Sequence, residues 1–235
     1  MENKNILVIK SRVLFQNSAC VVVNKLIGEA VEGAKDGIVN LPRELKASFC
    51  FDFIEAAHRL DVPVTGCALF ALSKPALEFL NDAFAGNCVE KHYWAIVEKP
   101  CGSLPVSDSL IHWIETKSGI NKSFAYDKDS PGRKKASLKY RINGEGRNYL
   151  FMEIELLTGR HHQIRAQLAA VGLHIKGDLK YGAKRSENGG GIRLHARSLS
   201  FPDPLNNGNR ISVTADPPHM DNLWKDFPVI PSSPF

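Results

Sequence analysis

The sequence predicts an α+β fold in which a mixed, largely antiparallel central sheet is flanked by helices and loops. Two observations lead to this class: strand-like runs outnumber helical ones, and several of them follow each other through short turns, as in β-hairpins. The chain has 235 residues, 43% of them hydrophobic and 23% charged. This is an ordinary composition for a folded protein with one sizeable core, and we expect residues 1–235 to form a single domain.

The first half of the chain contains runs with the length and residue types of strands. "VLFQNSACVVVNKL" (13–26) holds two such runs around an Asn-Ser turn, which predicts a pair of short strands. "GCALFALS" (66–73) is continuously apolar and predicts a buried strand, and "CVEKHYWAIVEKP" (88–100) predicts a further strand. Residues 28–57 have a mixed pattern and remain unassigned.

Two helices are predicted from their ends and their spacing. Ser73 and Pro75 supply an N-cap and a first-turn proline, apolar residues follow at helical spacing, and Gly86 ends this helix. "GRHHQIRAQLAAVG" (159–172) predicts a second helix that ends at its final glycine.

The second half of the chain is dominated by strand patterns. "ASLKYRIN" (136–143) and "NYLFMEIELL" (148–157) flank the turn "GEG" and predict a β-hairpin. "IRLHARSLSF" (192–201) and "NRISVTADPP" (209–218) predict the last two strands. Residues 101–134 are rich in Gly, Ser, Pro and Lys, and they predict an exposed excursion of unassigned role.

The composition argues against several classes of protein. No apolar run approaches the roughly 20 residues of a membrane-spanning helix, and the N-terminus lacks the apolar core of a signal peptide. The five cysteines are odd in number and form no C-x-x-C pair, which favours reduced, mostly buried thiols over disulfides or a zinc site. We therefore expect a cytoplasmic monomer without a metal site or a membrane partner.

Positive charge is concentrated in one segment. The whole chain carries a net charge of +5, whereas residues 131–185 alone hold 12 Lys or Arg and 4 Asp or Glu. Such a cluster is either a solvated face or a surface for a phosphate backbone. The pattern by itself leaves both interpretations open.

The stretch "HRLDVPVTG" (58–66) contains a lone acid. Asp61 stands two residues after Arg59 and just before the predicted buried strand. One interpretation is an Asp that caps a turn before Pro63, and the other is a catalytic carboxylate at a strand edge. The spacing alone does not decide between them.

The stretch "TGRHHQIRAQL" (158–168) places an arginine on the apolar face of the predicted helix. A buried Arg165 needs a partner, and Asp61 is a fitting one; the alternative is an arginine that keeps its head group in water. His161 and His162 suggest a metal. Neighbours on a helix point about 100° apart, however, and no carboxylate lies at ligand spacing, which argues against one.

The stretch "KHYWAIV" (91–97) has the alternation of a strand, with Lys91 and Tyr93 on one face and His92 and Trp94 on the other. Core packing is the ordinary explanation for a tyrosine in a strand. In a basic cleft, a tyrosine instead stacks on a nucleobase, which contributes roughly 1–3 kcal/mol.

Four fragments occur in a fixed order: "HRLD" with "TG", then "KHYWAIV", then "LLTGRHHQIRAQLAAVGLHIKGDLKYG", then "RLHARSLSFPDP". Together they resemble the RluA-type pseudouridine synthases, from about residue 12 to about residue 216. The resemblance implies the pseudouridine synthase fold, conversion of uridine in RNA to pseudouridine, and no cofactor or metal. Because only about 12 residues precede the first strand, we expect no separate N-terminal RNA-binding domain.

The resemblance also implies roles for single residues. Asp61 matches the catalytic aspartate, and Arg59 matches the arginine of the same motif, which in some members fills the space left by the flipped base. Tyr93 matches the tyrosine that stacks on the target base, and Arg165 matches the arginine that pairs with the aspartate. Further RNA contacts are expected from side chains beside these motifs and in the basic segment: Arg59, His58, Arg160, His162 and Lys180.

The chain departs from the family pattern at two places that do not touch these residues. The family usually has Thr-Ser-Gly after the aspartate, whereas this chain has Val64-Thr65-Gly66 and so lacks the first hydroxyl. Leu26 follows Asn24-Lys25 where the family generally has a proline.

We therefore expect an RNA pseudouridine synthase that acts on specific uridines in structured ribosomal or transfer RNA, with Asp61 as the carboxylate. Glycosidases use two carboxylates because they protonate a leaving group and activate water. In this isomerisation the uracil leaves as an anion and stays in the pocket, so that one carboxylate suffices, as nucleophile or as base. The alternatives are a catalytically silent RNA-binding protein of the same fold and a nucleoside or glycoside hydrolase, which lacks a convincing second carboxylate.

Overall fold

The computed structural model describes residues 9–33, 36–100, 102, 104–206 and 208–226. The chain divides into two compact units. The first unit contains the chain up to Lys91 and the segment Ala196–Pro218, and the second contains His92–His195 and the residues from His219 onward. That residues 1–235 act as a single catalytic domain stays a prediction.

Strands form the framework of both units, and the predicted α+β class with a largely antiparallel sheet is confirmed. The strands are Val13–Gln16 (β1), Cys20–Lys25 (β2), Glu29–Ala30 (β3), Val39–Asn40 (β4), Glu55–Ala56 (β5), Thr65–Ala71 (β6), Glu90–Glu98 (β7), Ser107–Lys117 (β8), Lys122–Tyr126 (β9), Lys134–Glu145 (β10), Tyr149–Leu156 (β11), Leu194–Pro202 (β12) and Arg210–Thr214 (β13). The α-helices are Leu41–Phe49 (α1), Lys74–Ala85 (α2), Gln163–Ala170 (α3) and Asn222–Lys225 (α4).

In the first unit, strands pair in the order β1-β2-β6-β12, with β13 beside β12 and β5 beside β6. The short strands β3 and β4 form a separate parallel pair. All seven residues of β6 are buried, which confirms the buried strand predicted from its unbroken apolar run. Such a run is expected where both faces of a strand are covered, and here the core includes Val22, Leu69 and Phe201.

Helix α2 covers part of this core and has the ends that its sequence predicts. The side chain of Ser73 accepts a hydrogen bond from the backbone N–H of Ala76, and Pro75 lies in the first turn. These are the two features that start a helix without leaving its first donors unpaired. Gly86 follows the last turn, and Leu80 is fully buried against the sheet.

In the second unit, strands pair in the order β7-β11-β10-β8-β9, and every pair in this series is antiparallel. The predicted hairpin corresponds to β10 and β11. Burial alternates along β11, where Ile154 and Leu156 are buried and Glu153 and Glu155 are only half-buried. This period of two follows from the alternation of side chains across a sheet.

The interpretation of residues 101–134 as an exposed excursion is wrong for the half of that segment that forms strands. Residues 107–117 and 122–126 form β8 and β9, which continue the sheet beyond β10. Their alternating pattern was hidden by the polar residues on the outer side of each strand. Cys101 and Ser103 lie outside the described residues.

Helix α3 begins later than the sequence pattern predicts. The pattern predicted a helix over residues 159–172, whereas regular helix starts at Gln163. The preceding residue, His162, has a left-handed backbone with φ of 53°, which cannot continue a right-handed helix. Ile164 and Leu168 are buried, as their spacing predicts.

The cysteines of the described residues are free thiols. Cys20 and Cys67 are buried, and burial raises the pKa of each thiol to about 12. Cys50 and Cys88 are exposed, so that the expectation of mostly buried thiols is met by only half of them. No helix among the described residues is long and apolar enough to cross a membrane.

Gly66, the second residue of β6, allows β6 to approach β12 closely. Its φ is 112°, a conformation that residues with a side chain rarely adopt. A Cβ atom at this position would lie 2.2 Å from the carbonyl oxygen of Ala196 and 2.7 Å from its carbonyl carbon and its nitrogen. Backbone atoms of a paired strand cannot move aside, so this position requires glycine.

We predict that Gly66→Ala lowers the free energy of unfolding by at least about 4 kcal/mol, because the new methyl group overlaps the backbone of β12. Gly172→Ala is the matched control: Gly172 also has a positive φ, of 76°, but nothing lies within 4 Å of its would-be Cβ. Strain alone should cost this control about 1–2 kcal/mol. Urea unfolding measures both, and equal losses would contradict the close-approach explanation.

Candidate functional site

Asp61 lies on a tight turn of the first unit, immediately before the buried strand β6. The backbone N–H of Val64 donates a hydrogen bond of 3.0 Å to the carbonyl oxygen of Asp61, which closes the turn. Asp61 is half-buried, whereas every residue from Thr65 to Ala71 is buried. The turn therefore presents a carboxylate at the end of a rigid strand.

A buried lysine ammonium holds this turn in place. Lys25 has no exposed surface, and its Nζ donates hydrogen bonds to the carbonyl oxygens of Leu26 at 3.0 Å, Val62 at 3.1 Å and Val64 at 2.6 Å. An ammonium group has three donors, so these three acceptors satisfy it completely. Two of them belong to the Asp61 turn.

The charge of Lys25 also interacts with Asp61. Burial lowers the pKa of Lys25 to about 8, while the negative charges of Glu29 and Asp61 act in the opposite direction and the positive charge of Arg12 adds to the lowering. The charge of the Asp61 carboxylate therefore favours the ammonium form of Lys25. Lys25 thus fixes the backbone of the turn and interacts electrostatically with its carboxylate.

The segment that follows Lys25 is itself fixed by an ion pair. Both guanidinium Nη atoms of Arg12 contact the carboxylate of Glu29, each at 2.9 Å. The same carboxylate accepts the backbone N–H of Leu26 at 2.8 Å. The backbone N–H of Gly28 then donates to the carbonyl oxygen of Val62 at 3.0 Å, which joins this segment directly to the Asp61 turn.

The sequence argument did not assign a role to Lys25. A signal was present: in "CVVVNK", Lys25 stands at the same parity as Val21 and Val23. In a strand, residues at i, i+2 and i+4 share a face, so that the pattern places a lysine on a buried face. A buried lysine must be paired, which marks it as a structural or functional contact.

The structure gives His58 a packing contact and leaves Arg59 exposed. The Nε2 atom of His58 accepts the backbone N–H of Leu69 at 3.2 Å, and its ring stacks on Phe84 at 5.3 Å between centroids. Burial, and then the positive charge of Lys91, lower the pKa of His58 to about 4, so the ring is neutral at pH 7. Arg59 lies 3.6 Å from Glu32 with 68% of its side chain exposed. Their RNA contacts stay predictions.

In the second unit, Arg165 is held by a buried carboxylate. Its Nε donates to Oδ2 of Asp178 at 2.7 Å and its Nη2 donates to Oδ1 at 2.8 Å. Only 6% of the Arg165 side chain and 1% of the Asp178 side chain are exposed. The inward orientation of Arg165 is therefore confirmed, and the alternative of an arginine with its head group in water is wrong.

Asp178 is a partner that the sequence argument missed. It considered Asp61 as the carboxylate for Arg165, and that pairing stays a prediction. Asp178 was recognisable as the single acidic residue between Glu155 and Glu187 in a strongly basic part of the chain. A lone acid in such a segment has cations on all sides, so that it is a natural counter-charge for a buried arginine.

A tyrosine joins Arg165 to the outermost strand of this unit. The guanidinium carbon of Arg165 lies 4.8 Å from the ring centroid of Tyr181. The Tyr181 hydroxyl accepts the backbone N–H of Ser123 at 2.8 Å and lies 3.0 Å from Nδ1 of His162. These contacts anchor the buried His162 and tie β9 to the loop before α3.

The two adjacent histidines do not diverge as expected for neighbours on a helix. The rings of His161 and His162 stack with centroids 3.9 Å apart, because the left-handed backbone of His162 turns them toward each other. His161 then reaches the hydroxyl of Ser123 at 2.9 Å. Among the described residues, no group of three or more His, Cys, Asp or Glu side chains has an arrangement for a metal ion.

The remaining predicted site residues lie on or near the sheet of the second unit. Tyr93 is buried in β7, where it pairs with Ile154 of β11. Arg160 is exposed and its Nε donates to the carbonyl oxygen of Lys135 at 3.1 Å. Lys180 is also exposed, with its Nζ 3.0 Å from the carbonyl oxygen of Asn121.

Comparison with known proteins identifies the family. The family model of RNA pseudouridylate synthases matches residues 19–170. An uncharacterized RNA pseudouridine synthase of Zymomonas mobilis is 33% identical over 199 residues, which cover 83% of this chain and 89% of the relative. Ribosomal large subunit pseudouridine synthase C of Haemophilus influenzae is 28% identical over 222 residues, which cover 90% of this chain and 67% of that protein.

Solved structures show the same fold. Human RNA pseudouridylate synthase domain containing 4 superposes with a TM-score of 0.74 at 22% identity, covering 96% of this chain and 94% of that one. Human RNA pseudouridylate synthase domain containing 1 gives a TM-score of 0.72 at 23% identity, covering 88% and 83%. With the motif resemblance and the family match, the chain therefore belongs to the RNA pseudouridylate synthase family, in its RluA type, and is an isomerase that acts on RNA.

Proposed function

We propose that this protein converts specific uridines in structured ribosomal or transfer RNA to pseudouridine, with Asp61 as the catalytic carboxylate. The observation that carries the proposal is the Asp61 turn itself: a half-buried carboxylate whose backbone is fixed by the buried Lys25. Ribosomal substrates are supported by the name of the Haemophilus relative. The particular uridine is a question for mapping experiments in a deletion strain.

The reaction requires one bond to break and another to form at the same sugar carbon. The C1′–N1 bond breaks, the uracil turns within the pocket, C1′ joins C5, C5 loses its proton and N1 gains one. Asp61 acts on the sugar, either as a nucleophile at C1′ or as a base, and in both roles it must be ionised. The buried Lys25 fixes the backbone of the turn that carries this carboxylate.

The other site residues are proposed to handle the base and the RNA. Tyr93 stacks on the extruded uracil, a contact that contributes roughly 1–3 kcal/mol. Extrusion of a base from folded RNA costs a few kcal/mol, which this stacking offsets in part. Arg165 takes the role of the motif arginine, with its guanidinium oriented by Asp178. The exposed cations Arg59, Arg160 and Lys180 contact the RNA backbone. The protein acts as a cytoplasmic monomer without a cofactor.

Two other functions give different experimental results. A catalytically silent RNA-binding protein of this fold would bind RNA without turnover, whereas the proposal predicts pseudouridine in RNA from a deletion strain after incubation with the protein. A hydrolase would release free uracil. The membership of the chain in an isomerase family favours the proposal over both.

We predict that Asp61→Asn lowers the single-turnover rate of pseudouridine formation by at least about a hundredfold, the usual effect of losing a group that acts in the chemical step. RNA affinity and the unfolding midpoint should change little, because the amide has the shape of the carboxylate. Asp52→Asn is the matched control, since Asp52 is an exposed acid of the same unit. A rate within about tenfold of the unaltered protein would reject the role of Asp61.

We also predict that Asp178→Asn lowers the free energy of unfolding by about 3–5 kcal/mol, because it breaks a buried ion pair by removing the negative charge that Asp178 places against Arg165. Asp127→Asn is the control, since 93% of the Asp127 side chain is exposed. Urea unfolding compares the two variants. Equal unfolding midpoints for the two variants would mean that the Arg165–Asp178 pair does not contribute to stability. The turnover of the folded Asp178→Asn variant reports separately whether the orientation of Arg165 matters to the reaction.

A further inference from the structure

The sheet of the second unit has two different faces at its β8–β9–β10 end. On the inner face, Leu110, His112 and Ile114 are buried, and the side chain of Gln167 in α3 donates a hydrogen bond to the carbonyl oxygen of Leu110 at 3.0 Å. Trp113 lies between these residues in β8 and so points to the opposite side. Helix α3 therefore covers one face only.

The opposite side carries three aromatic rings that are only half-buried. The register pairs Trp113 of β8 with Tyr126 of β9 and with Lys135 of β10, and it pairs Glu115 with Phe124. Directly paired residues share a face, so that these side chains lie on one surface. We call this surface the aromatic platform and define it by the following residues: Trp113, Lys117, Lys122, Phe124, Tyr126, Arg133 and Lys135.

Another part of the same sheet face is covered by the chain itself. Trp94 and Ile96 of β7 and Phe151 of β11 form a buried cluster with Trp224 of α4. At that end of the sheet, the aromatic residues are therefore core. In contrast, Trp113, Phe124 and Tyr126 all retain exposed surface.

Cations lie over the rings of Phe124 and Tyr126. The guanidinium carbon of Arg133 lies 3.6 Å from the ring centroid of Tyr126. The ammonium groups of Lys117 and Lys122 lie 5.3 Å and 5.5 Å from the centroid of Phe124. Lys135 is exposed beside Trp113. Glu115 is the one acid that the strand register places among them, and its carboxylate lies 3.7 Å from Nε of Arg133, so that Lys117, Lys122 and Lys135 supply the excess charge. The platform therefore combines flat apolar surfaces with a clear excess of positive charge.

We propose that the aromatic platform binds a single-stranded segment of the substrate RNA, with unpaired bases stacked on its rings and phosphates paired with its cations. Alternation of aromatic rings and cations is the arrangement that single-stranded nucleic acid requires, because every base has a flat face and every nucleotide a phosphate. In a duplex, the faces of the bases are stacked on one another inside the helix, so that they cannot stack on the rings of the platform. This inference rests on the proposed action on RNA.

The platform cannot be the place where the target uridine reacts. Register places Tyr93 on the same face as Ile154, Tyr140 and Asp108, which is the inner face, whereas Trp113 is on the outer one. A base stacked on Trp113 is therefore a different nucleotide from the one that Tyr93 would contact. The protein should accordingly prefer RNA that continues as a single strand beyond the modified region.

The fluorescence of Trp113 gives a direct test. The chain has three tryptophans, and Trp94 and Trp224 are 7% and 6% exposed, so that Trp113 is the one open to a stacked base. A single-stranded oligouridylate of twelve nucleotides should quench the fluorescence of the full chain, and an RNA duplex of equal length should quench it much less. In Trp113→Phe, the quenching should disappear while affinity persists, because phenylalanine retains a stacking face.

Variants separate the rings from the cations. Phe124→Ala and Tyr126→Ala should each weaken oligouridylate binding by about 5- to 100-fold. Lys117→Gln combined with Lys122→Gln should reduce the slope of log affinity against log salt by about 0.7 for each phosphate that the variant no longer neutralises. Arg43→Gln combined with Lys74→Gln, which removes two exposed cations from the first unit, should leave both the affinity and the slope unchanged.

The outcomes distinguish this inference from the proposed function. Weakened binding in the platform variants supports the platform even if the protein produces no pseudouridine. Pseudouridine formation together with unaltered oligouridylate binding in these variants overturns the platform and leaves the proposed function intact. Equal quenching by duplex and single strand also overturns it, since the surface would then bind RNA without using unpaired bases. No quenching at all overturns it as well, since the surface would then be a protein-docking face or a solvated one.

Discussion

The buried ammonium of Lys25 is the interaction on which the proposed catalytic turn depends. Burying a charged lysine is unfavourable unless its donors are satisfied, and here three carbonyl oxygens satisfy it. Two of those carbonyls belong to the turn that carries Asp61. The backbone of this turn therefore cannot move without exposing the ammonium or leaving it unpaired, which keeps Asp61 at a fixed place before β6.

Both units use a buried ion to fix a side chain that the family resemblance marks as functional. In the first unit, Lys25 holds the turn of Asp61 through backbone carbonyls. In the second, Asp178 holds Arg165 through a two-pronged ion pair with short hydrogen bonds. Buried ion pairs contribute little net stability compared with apolar residues of similar size. The advantage of the Arg165–Asp178 pair is orientation, because two hydrogen bonds to one carboxylate fix the direction of the guanidinium group.

Most strands of the sheet could be predicted from local sequence patterns. Most of the elements that were predicted wrongly depend on tertiary contacts. The strands β2, β6 and β11 were recognisable from apolar runs and alternation, and α2 from its cap at Ser73, because these signals are local. The late start of α3 depends on the left-handed His162, whose ring contacts Tyr181 far along the chain. Strands β8 and β9 were obscured by lysines and aromatic residues on the face opposite α3, where apolar alternation is weak.

The motifs marked candidate residues for the site, and the contacts of those residues were harder to predict. The family motif singled out Asp61 and Arg165, but the partners Lys25 and Asp178 lie outside the short motif around each residue. Parity along β2 and the isolation of Asp178 in a basic segment were available signals. These signals indicate a paired charge only when burial is known, because an exposed lysine or aspartate at the same position would need no partner.

The most direct test of this account is the pKa of Lys25, measured by NMR titration of the lysine Cε carbons in the unaltered protein and in Asp61→Asn. If the charge of Asp61 favours the ammonium form of Lys25, removing that charge should move the pKa of Lys25 below about 8, the value to which burial lowers it against the opposing effects of Glu29 and Asp61. Asp52→Asn, which alters an exposed acid of the same unit, should leave that pKa in place. An identical Lys25 pKa in the unaltered protein and in Asp61→Asn would contradict the account, because Lys25 would then not sense the charge of the Asp61 carboxylate.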